Sequence, residues 1–344
     1  MIEGHGDDLY RYNRPITSNF SSNLTNWINP APLKDYLREH VSETVSAYPE
    51  PQPYTLETRI AAAKGLRSGQ VCVTNGATEA IYLIAQSFGG GRSAVLQPTF
   101  SEYADACRIY GHQVVSLFRL PENDRLSEDL RILWLCNPNN PTGQVVDRSR
   151  LIRLVDNNPH ILFVIDQSYE DFTLKPLLTV RETADMPNVL LLHSLTKRYA
   201  MPGLRLGYVT GNETLLCHLR THRMPWSVNG VALLAGLFLM EYPEAVPFDL
   251  PKCLEETTRL QSLLRQSSEV DVRDTDTHFM LVRLRTGKAA TLKDYLANEH
   301  GLLIRDASNF EGLDATYFRL STQRTEDNEQ LVNAIGQWLN MYIL

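Results

Sequence analysis

Residues 193–207 read His193-Ser194-Leu195-Thr196-Lys197-Arg198-Tyr199-Ala200-Met201-Pro202-Gly203-Leu204-Arg205-Leu206-Gly207. Lys197 follows hydroxyl side chains at one and three residues, and Arg205 follows it by eight. A lysine amine can form a Schiff base with an aldehyde. Hydroxyls and a planar guanidinium can hold a phosphate. One small molecule carrying both an aldehyde and a phosphate would engage all four side chains. The plainer reading is a surface lysine in a hydroxyl-rich turn after a buried strand.

Working outward, short apolar runs alternate with helical patterns. Strands are expected at 71–74, 93–97, 114–118, 132–136, 161–166, 189–194 and 206–210. Several are continuously apolar, as in parallel strands covered on both faces. Helices are expected between them, for example over 78–88 and 101–110, so the fold class is α/β with a mostly parallel sheet. An apolar helix over 231–240 follows, too short to span a bilayer. Beyond 243 a charged helix to about 267, strands at 278–284, 302–305 and 317–321, and helices near 292–299 and 325–342 form an α+β pattern. The expected division is an N-terminal segment 1–45 packing on the smaller domain, a large α/β domain 46–243, and a small α+β domain 244–344.

Composition narrows the function classes. The chain has 344 residues, 43% hydrophobic and 21% charged, with a formal net charge of −7. Acids and bases are mixed, leaving no electrostatic footprint for nucleic acid or an anionic membrane. The start, Met1 to Asp8, has neither a basic nor an apolar run, so no signal peptide is expected. The five cysteines (72, 107, 136, 217 and 253) are scattered and include no CxxC pair. They are expected to be buried thiols in a reducing, cytoplasmic setting, with no metal site.

The ends of the expected strands carry chemistry. Thr74-Asn75-Gly76-Ala77-Thr78 opens a helix, which suits either a phosphate site or a plain N-cap. Asn137-Pro138-Asn139-Asn140-Pro141-Thr142-Gly143 is turn chemistry that also holds Asn140 in one pose. Asp166 ends the strand 161–166, where α/β ligand sites form. It can pair with a protonated ring nitrogen or cap a helix. Tyr169 follows three residues on, within reach of the same ring oxygen as Asn140. Phe100 alone reads as a core residue. The aldehyde, phosphate, ring nitrogen and ring oxygen together describe pyridoxal 5′-phosphate.

In this order and spacing, Asn-Pro-Thr-Gly, Asp-x-x-Tyr and Ser-x-x-Lys-x7-Arg resemble the fold-type-I pyridoxal-phosphate enzymes of the class I/II aminotransferase superfamily, over about residues 45–330. The resemblance implies a large parallel-sheet domain with a smaller α+β domain. It makes Lys197 the Schiff-base lysine, Asp166 the ring-nitrogen partner, and Asn140 and Tyr169 the ring-oxygen partners. Gly76, Ala77, Thr78, Ser194, Thr196 and Arg205 would form the phosphate site, with Phe100 stacked on the ring. Tyr48, in Tyr48-Pro49-Glu50-Pro51-Gln52-Pro53, stands where relatives reach the phosphate of the neighbouring subunit, which implies a homodimer.

Arg319, in Tyr317-Phe318-Arg319-Leu320-Ser321, matches the arginine that grips the substrate carboxylate in this superfamily; a surface ion pair is the plainer use. Two subgroups resemble the chain most: histidinol-phosphate aminotransferases, and the threonine-phosphate decarboxylases of cobalamin biosynthesis. The runs 194–208, 224–229 and 303–319 favour the decarboxylases and a phosphorylated amino-acid substrate. Arg305 and Arg324 are then the substrate cations, with Arg305 the better phosphate partner. His5-Gly6 resembles a run near the substrate phosphate, though a tail position would serve equally. Asp7 stands where those relatives have glycine, and Asn23-Leu24-Thr25-Asn26 replaces their Asn-Ile-Asn-Pro-like run, placing Asn23 on the substrate side.

Overall fold

The computed structural model describes residues 6–343. Among the described residues thirteen strands are formed: β1 (Ser18–Asn19), β2 (Val71–Thr74), β3 (Arg92–Leu96), β4 (Gln113–Leu117), β5 (Leu130–Cys136), β6 (Leu162–Asp166), β7 (Val189–Ser194), β8 (Gly207–Gly211), β9 (Val270–Val272), β10 (Phe279–Leu284), β11 (Leu302–Leu303), β12 (Arg305–Asp306) and β13 (Tyr317–Ser321).

Seven of them form one sheet in the order β2-β8-β7-β6-β5-β3-β4. Strands β3 to β7 pair in parallel, and only β8 runs against its neighbours. Every residue of β6 and β8 is buried. This is why neither strand alternates apolar with exposed polar residues: helices cover both faces. One face carries a core with Trp134, Val164 and Leu192, the other a core with Leu133, Phe163 and Leu191. The carboxyl ends of β2, β5, β6 and β7 lie at one edge, where the loops that carry the chemistry begin.

A second sheet, β12-β13-β10-β9, is antiparallel and packs on the helices Leu250–Leu264 and Thr325–Ile343. The expected strand 302–305 is in fact two. Leu302–Leu303 pairs with β1, and Arg305–Asp306 pairs with β13.

The N-terminal segment divides its packing between the two sheets. Strand β1 and Phe20 do join that core. The helix Ala31–Thr44 instead lies on the apolar helix Gly230–Glu241, with Tyr36 against Phe238 at 4.5 Å between ring centroids. Ile28 and Leu33 belong to the core of the larger sheet. Four cysteines are buried, but Cys217 is exposed. No single helix among the described residues is long and apolar enough to cross a membrane.

Candidate active site

A cavity of about 320 Å³ opens between the two sheets, at the carboxyl edge of the larger one. Lys197 lines it, on the short helix Leu195–Arg198 that follows β7. Its Nζ donates to the Ser22 carbonyl at 2.7 Å. Burial first, and then the nearby Arg319 and Arg205, pull its amine down to about 8, while Asp7 pulls the other way. A lysine held there carries a useful fraction of neutral, nucleophilic amine near neutral pH.

One end of the cavity suits a phosphate. Ala77, Thr78, Ser194, Thr196 and Arg205 all line it. Ala77 and Thr78 open the helix Gly76–Ser87, whose first turn the Asn75 side chain leaves uncapped. Free N–H groups and the positive end of the helix dipole therefore face the cavity edge. Gly76 is needed there: its φ is +78°, and a Cβ would come within 2.8 Å of Arg205 Nη2. Gly207 is needed beside it, because a Cβ would meet the His193 carbonyl at 2.7 Å and the Ala77 nitrogen at 2.8 Å.

Another group of lining residues suits a heteroaromatic ring. The buried Asp166 ends β6, and its Oδ2 accepts from Tyr103 Oη at 2.7 Å. Its Oδ1 accepts from the Ser168 N–H at 2.8 Å. Phe100 and Tyr169 line the same space. Asn140 Oδ1 accepts from Arg319 Nη1. A guanidinium only donates, so this contact fixes which way the amide faces and leaves its N–H groups as donors elsewhere. Asn23 Nδ2 donates to Tyr169 Oη at 3.1 Å. Burial pushes the Tyr169 phenol up to about 12, so it keeps its proton.

The cavity also holds buried cations. Arg305 and Arg319 each have 5% of their surface exposed, yet neither pairs with a carboxylate among the described residues. Arg305 is held by the Asp306 carbonyl at 2.6 Å and Asn309 Oδ1 at 2.7 Å. Arg319 Nη2 donates to the Ser21 carbonyl, and its Nε has no partner. Burial draws both guanidinium groups down to about 10. Unpaired buried cations opening on a cavity are the signature of an anion site.

Three of the predicted residues do not line this chain's cavity, and a fourth, His5, is outside the described part of the chain. Arg324 is exposed and turns away to Asn26, its Nε donating to that carbonyl at 3.3 Å. It does not line the cavity, because its side chain leaves the start of the last helix on the solvent side. Asn23 also does not line the cavity; it is fully buried and reaches the site only through Tyr169. Tyr48 is 89% exposed and borders a separate apolar trough with Leu233 and Leu237. His5 lies outside the described residues. Conversely, Ser21, Ser22, Tyr103, Asn309 and Phe310 line the cavity and were not anticipated. Tyr103 carried the only local signal, standing three residues after Phe100, whose ring its own meets edge-on at 5.8 Å between centroids.

Known proteins resemble this chain in sequence and fold. The class I and II aminotransferase model matches residues 17–335. The chain belongs to that family. The family is dependent on pyridoxal phosphate, and the cavity fits that group: a lysine, an uncapped helix start with an arginine, an aspartate and ring-oxygen donors surround one space. The crystal structure of L-threonine-O-3-phosphate decarboxylase from Porphyromonas gingivalis superposes with a TM-score of 0.90 at 35% identity, over 94% of this chain and 99% of that one. A threonine-phosphate decarboxylase from Salmonella typhimurium is 29% identical over 92% of this chain and 89% of its own length. A histidinol-phosphate aminotransferase from a Thermoanaerobacter species is 28% identical over 94% of each chain.

Proposed function

We propose that this family member decarboxylates L-threonine O-3-phosphate, yielding (R)-1-amino-2-propanol O-2-phosphate, and works as a homodimer to which Tyr48 contributes across the interface. The observation that carries the substrate reading is the pair of buried arginines, Arg319 and Arg305, without carboxylate partners in one cavity with Lys197. A phosphorylated amino acid offers two anions for them. The similarity to decarboxylases with phosphothreonine in their names supports the same choice.

When bound, pyridoxal phosphate supplies an electron sink. The protein's own groups do the rest. Arg319 forks onto the carboxylate and sets its angle to the ring, which selects the bond to be broken. Arg305, steadied by Asn309, holds the substrate phosphate. Asp166, held by Tyr103 and Ser168, presents its carboxylate to the ring nitrogen. Lys197, with its amine drawn down to about 8, returns a proton to the substrate carbon after carbon dioxide leaves.

The alternative is a histidinol-phosphate or related aminotransferase, in which Lys197 removes the α-proton instead. Incubation with O-phospho-L-threonine and no keto acid separates the two. A decarboxylase releases carbon dioxide through many cycles. An enzyme that stops after one turnover and resumes with histidinol phosphate and 2-oxoglutarate is the aminotransferase.

A further inference from the structure

Three consecutive residues each hold one side chain of the cavity. The Ser21 carbonyl accepts from Arg319, the Ser22 carbonyl from Lys197, and the Asn23 side chain donates to Tyr169. Any residue supplies a carbonyl, so only the third contact depends on residue type. Asn23 is fully buried at a φ of 53°, a backbone region that asparagine and glycine tolerate and most residues avoid. Its own carbonyl lies 3.1 Å from His278 Nε2. A carbonyl only accepts, so the imidazole proton sits on Nε2. His278 is fully buried and packed on Phe172, with ring centroids 4.0 Å apart. Burial, with Lys197 and Arg319 nearby, holds it neutral, down at about 3.

A phenol has one proton and two acceptor lone pairs. An amide N–H aimed at Tyr169 Oη occupies a lone pair and cannot take the phenol proton. That proton must point away from Asn23, and the open side of Tyr169 is the cavity. We propose that Asn23 is a positioning residue that aims the Tyr169 O–H into the cavity at an oxygen of the bound cofactor, with His278 pegging the Asn23 backbone from behind. This rests on the reading that Tyr169 meets the ring oxygen. Arg319, Cys136 and Asp166 face Tyr169 from the other elements, Lys197 lines the same cavity, and His278 lies behind Asn23.

Two variants at one position separate polarity from packing. Asn23→Gly keeps the left-handed backbone and the carbonyl for His278 but removes the donor. Asn23→Asp keeps the shape but presents acceptors, which draw the phenol proton out of the cavity. The readout is the pH midpoint of the visible absorbance of the cofactor-loaded protein, with thermal melting alongside. A donor at the ring oxygen favours the unprotonated chromophore and keeps the midpoint low. Asn23→Gly should raise it by roughly half a unit, and Asn23→Asp and Tyr169→Phe by roughly a unit or more. If Tyr169→Phe shifts the midpoint while both Asn23 variants titrate like the wild type, Asn23 does not aim the phenol, whatever happens to the melting temperature. If Tyr169→Phe itself changes nothing, the ring-oxygen reading is wrong and takes the inference with it.

Discussion

Arg305 and Arg319 stand directly opposite each other on antiparallel neighbours, as Cα partners in the register of β12 and β13. Both are buried. Like charges in that relation oppose strand pairing. Each also lacks a carboxylate partner among the described residues, so the fold without ligand carries an electrostatic cost that an anionic ligand removes.

The first prediction follows from that pair. O-phospho-L-threonine should raise the melting temperature of the protein beyond what serine gives. Arg305→Met should raise the stability of the cofactor-free protein by about 1 kcal/mol. The same change should weaken binding of the phosphorylated substrate by roughly 1.5–3 kcal/mol. Differential scanning calorimetry and the KM ratio check both signs; a variant that loses stability and keeps its KM would remove Arg305 from the anion site.

Lys197 should show its depressed amine directly. The rate of covalent cofactor capture by the cofactor-free protein should climb with pH up to about 8 and then level off. Arg319 pulls the amine down, so Arg319→Met should move that midpoint upward. Borohydride should fix the cofactor on Lys197, and Lys197→Ala should lose the adduct. Capture that is flat with pH from 6 to 10 would contradict the assignment.

The same shift has a stability consequence. The folded amine titrates below its ordinary 10.5, so the folded protein is penalised while the lysine is charged. Below about 8 the penalty is complete, and it fades as pH rises toward 10.5. Lys197→Met should therefore stabilise the cofactor-free protein by about 1–3 kcal/mol at pH 7. Urea denaturation at pH 7 and pH 10 should show the gain shrinking at the higher pH.

Asp166→Asn should keep the fold and the fixed cofactor but weaken the electron sink. Turnover should fall on the order of 10²-fold or more. Tyr103→Phe removes one of the hydrogen bonds that hold the carboxylate and should cost less. Wild-type turnover in Asp166→Asn would make Asp166 a structural cap only.

Tyr48 should find its partner in a second copy of the chain. It is exposed beside an apolar trough of about 360 Å³ lined by Leu233, Leu234 and Leu237. Sedimentation equilibrium should give about twice the chain mass, and Tyr48→Ala should loosen the cofactor. An active monomer would exclude Tyr48 from the site.

Much of this molecule is written locally in its sequence. The spacing from Ser194 through Lys197 to Arg205 sets one rim of the cavity, because a short strand–helix–strand path fixes where those side chains emerge. Continuous apolar runs marked the buried parallel strands, and Asp166 and Asn140 follow from standing at their carboxyl ends. Pairings of distant segments decided the rest. Arg319 meets the Ser21 carbonyl across 298 residues, and Asn23 meets Tyr169 across 146. A backbone carbonyl leaves no mark in a sequence, since every residue has one. The register that sets Arg305 against Arg319, and the solvent-side exit that removes Arg324, depend on how β12, β13 and the last helix pack. Local propensity reaches a few residues along the chain, whereas burial and strand pairing are properties of the whole fold.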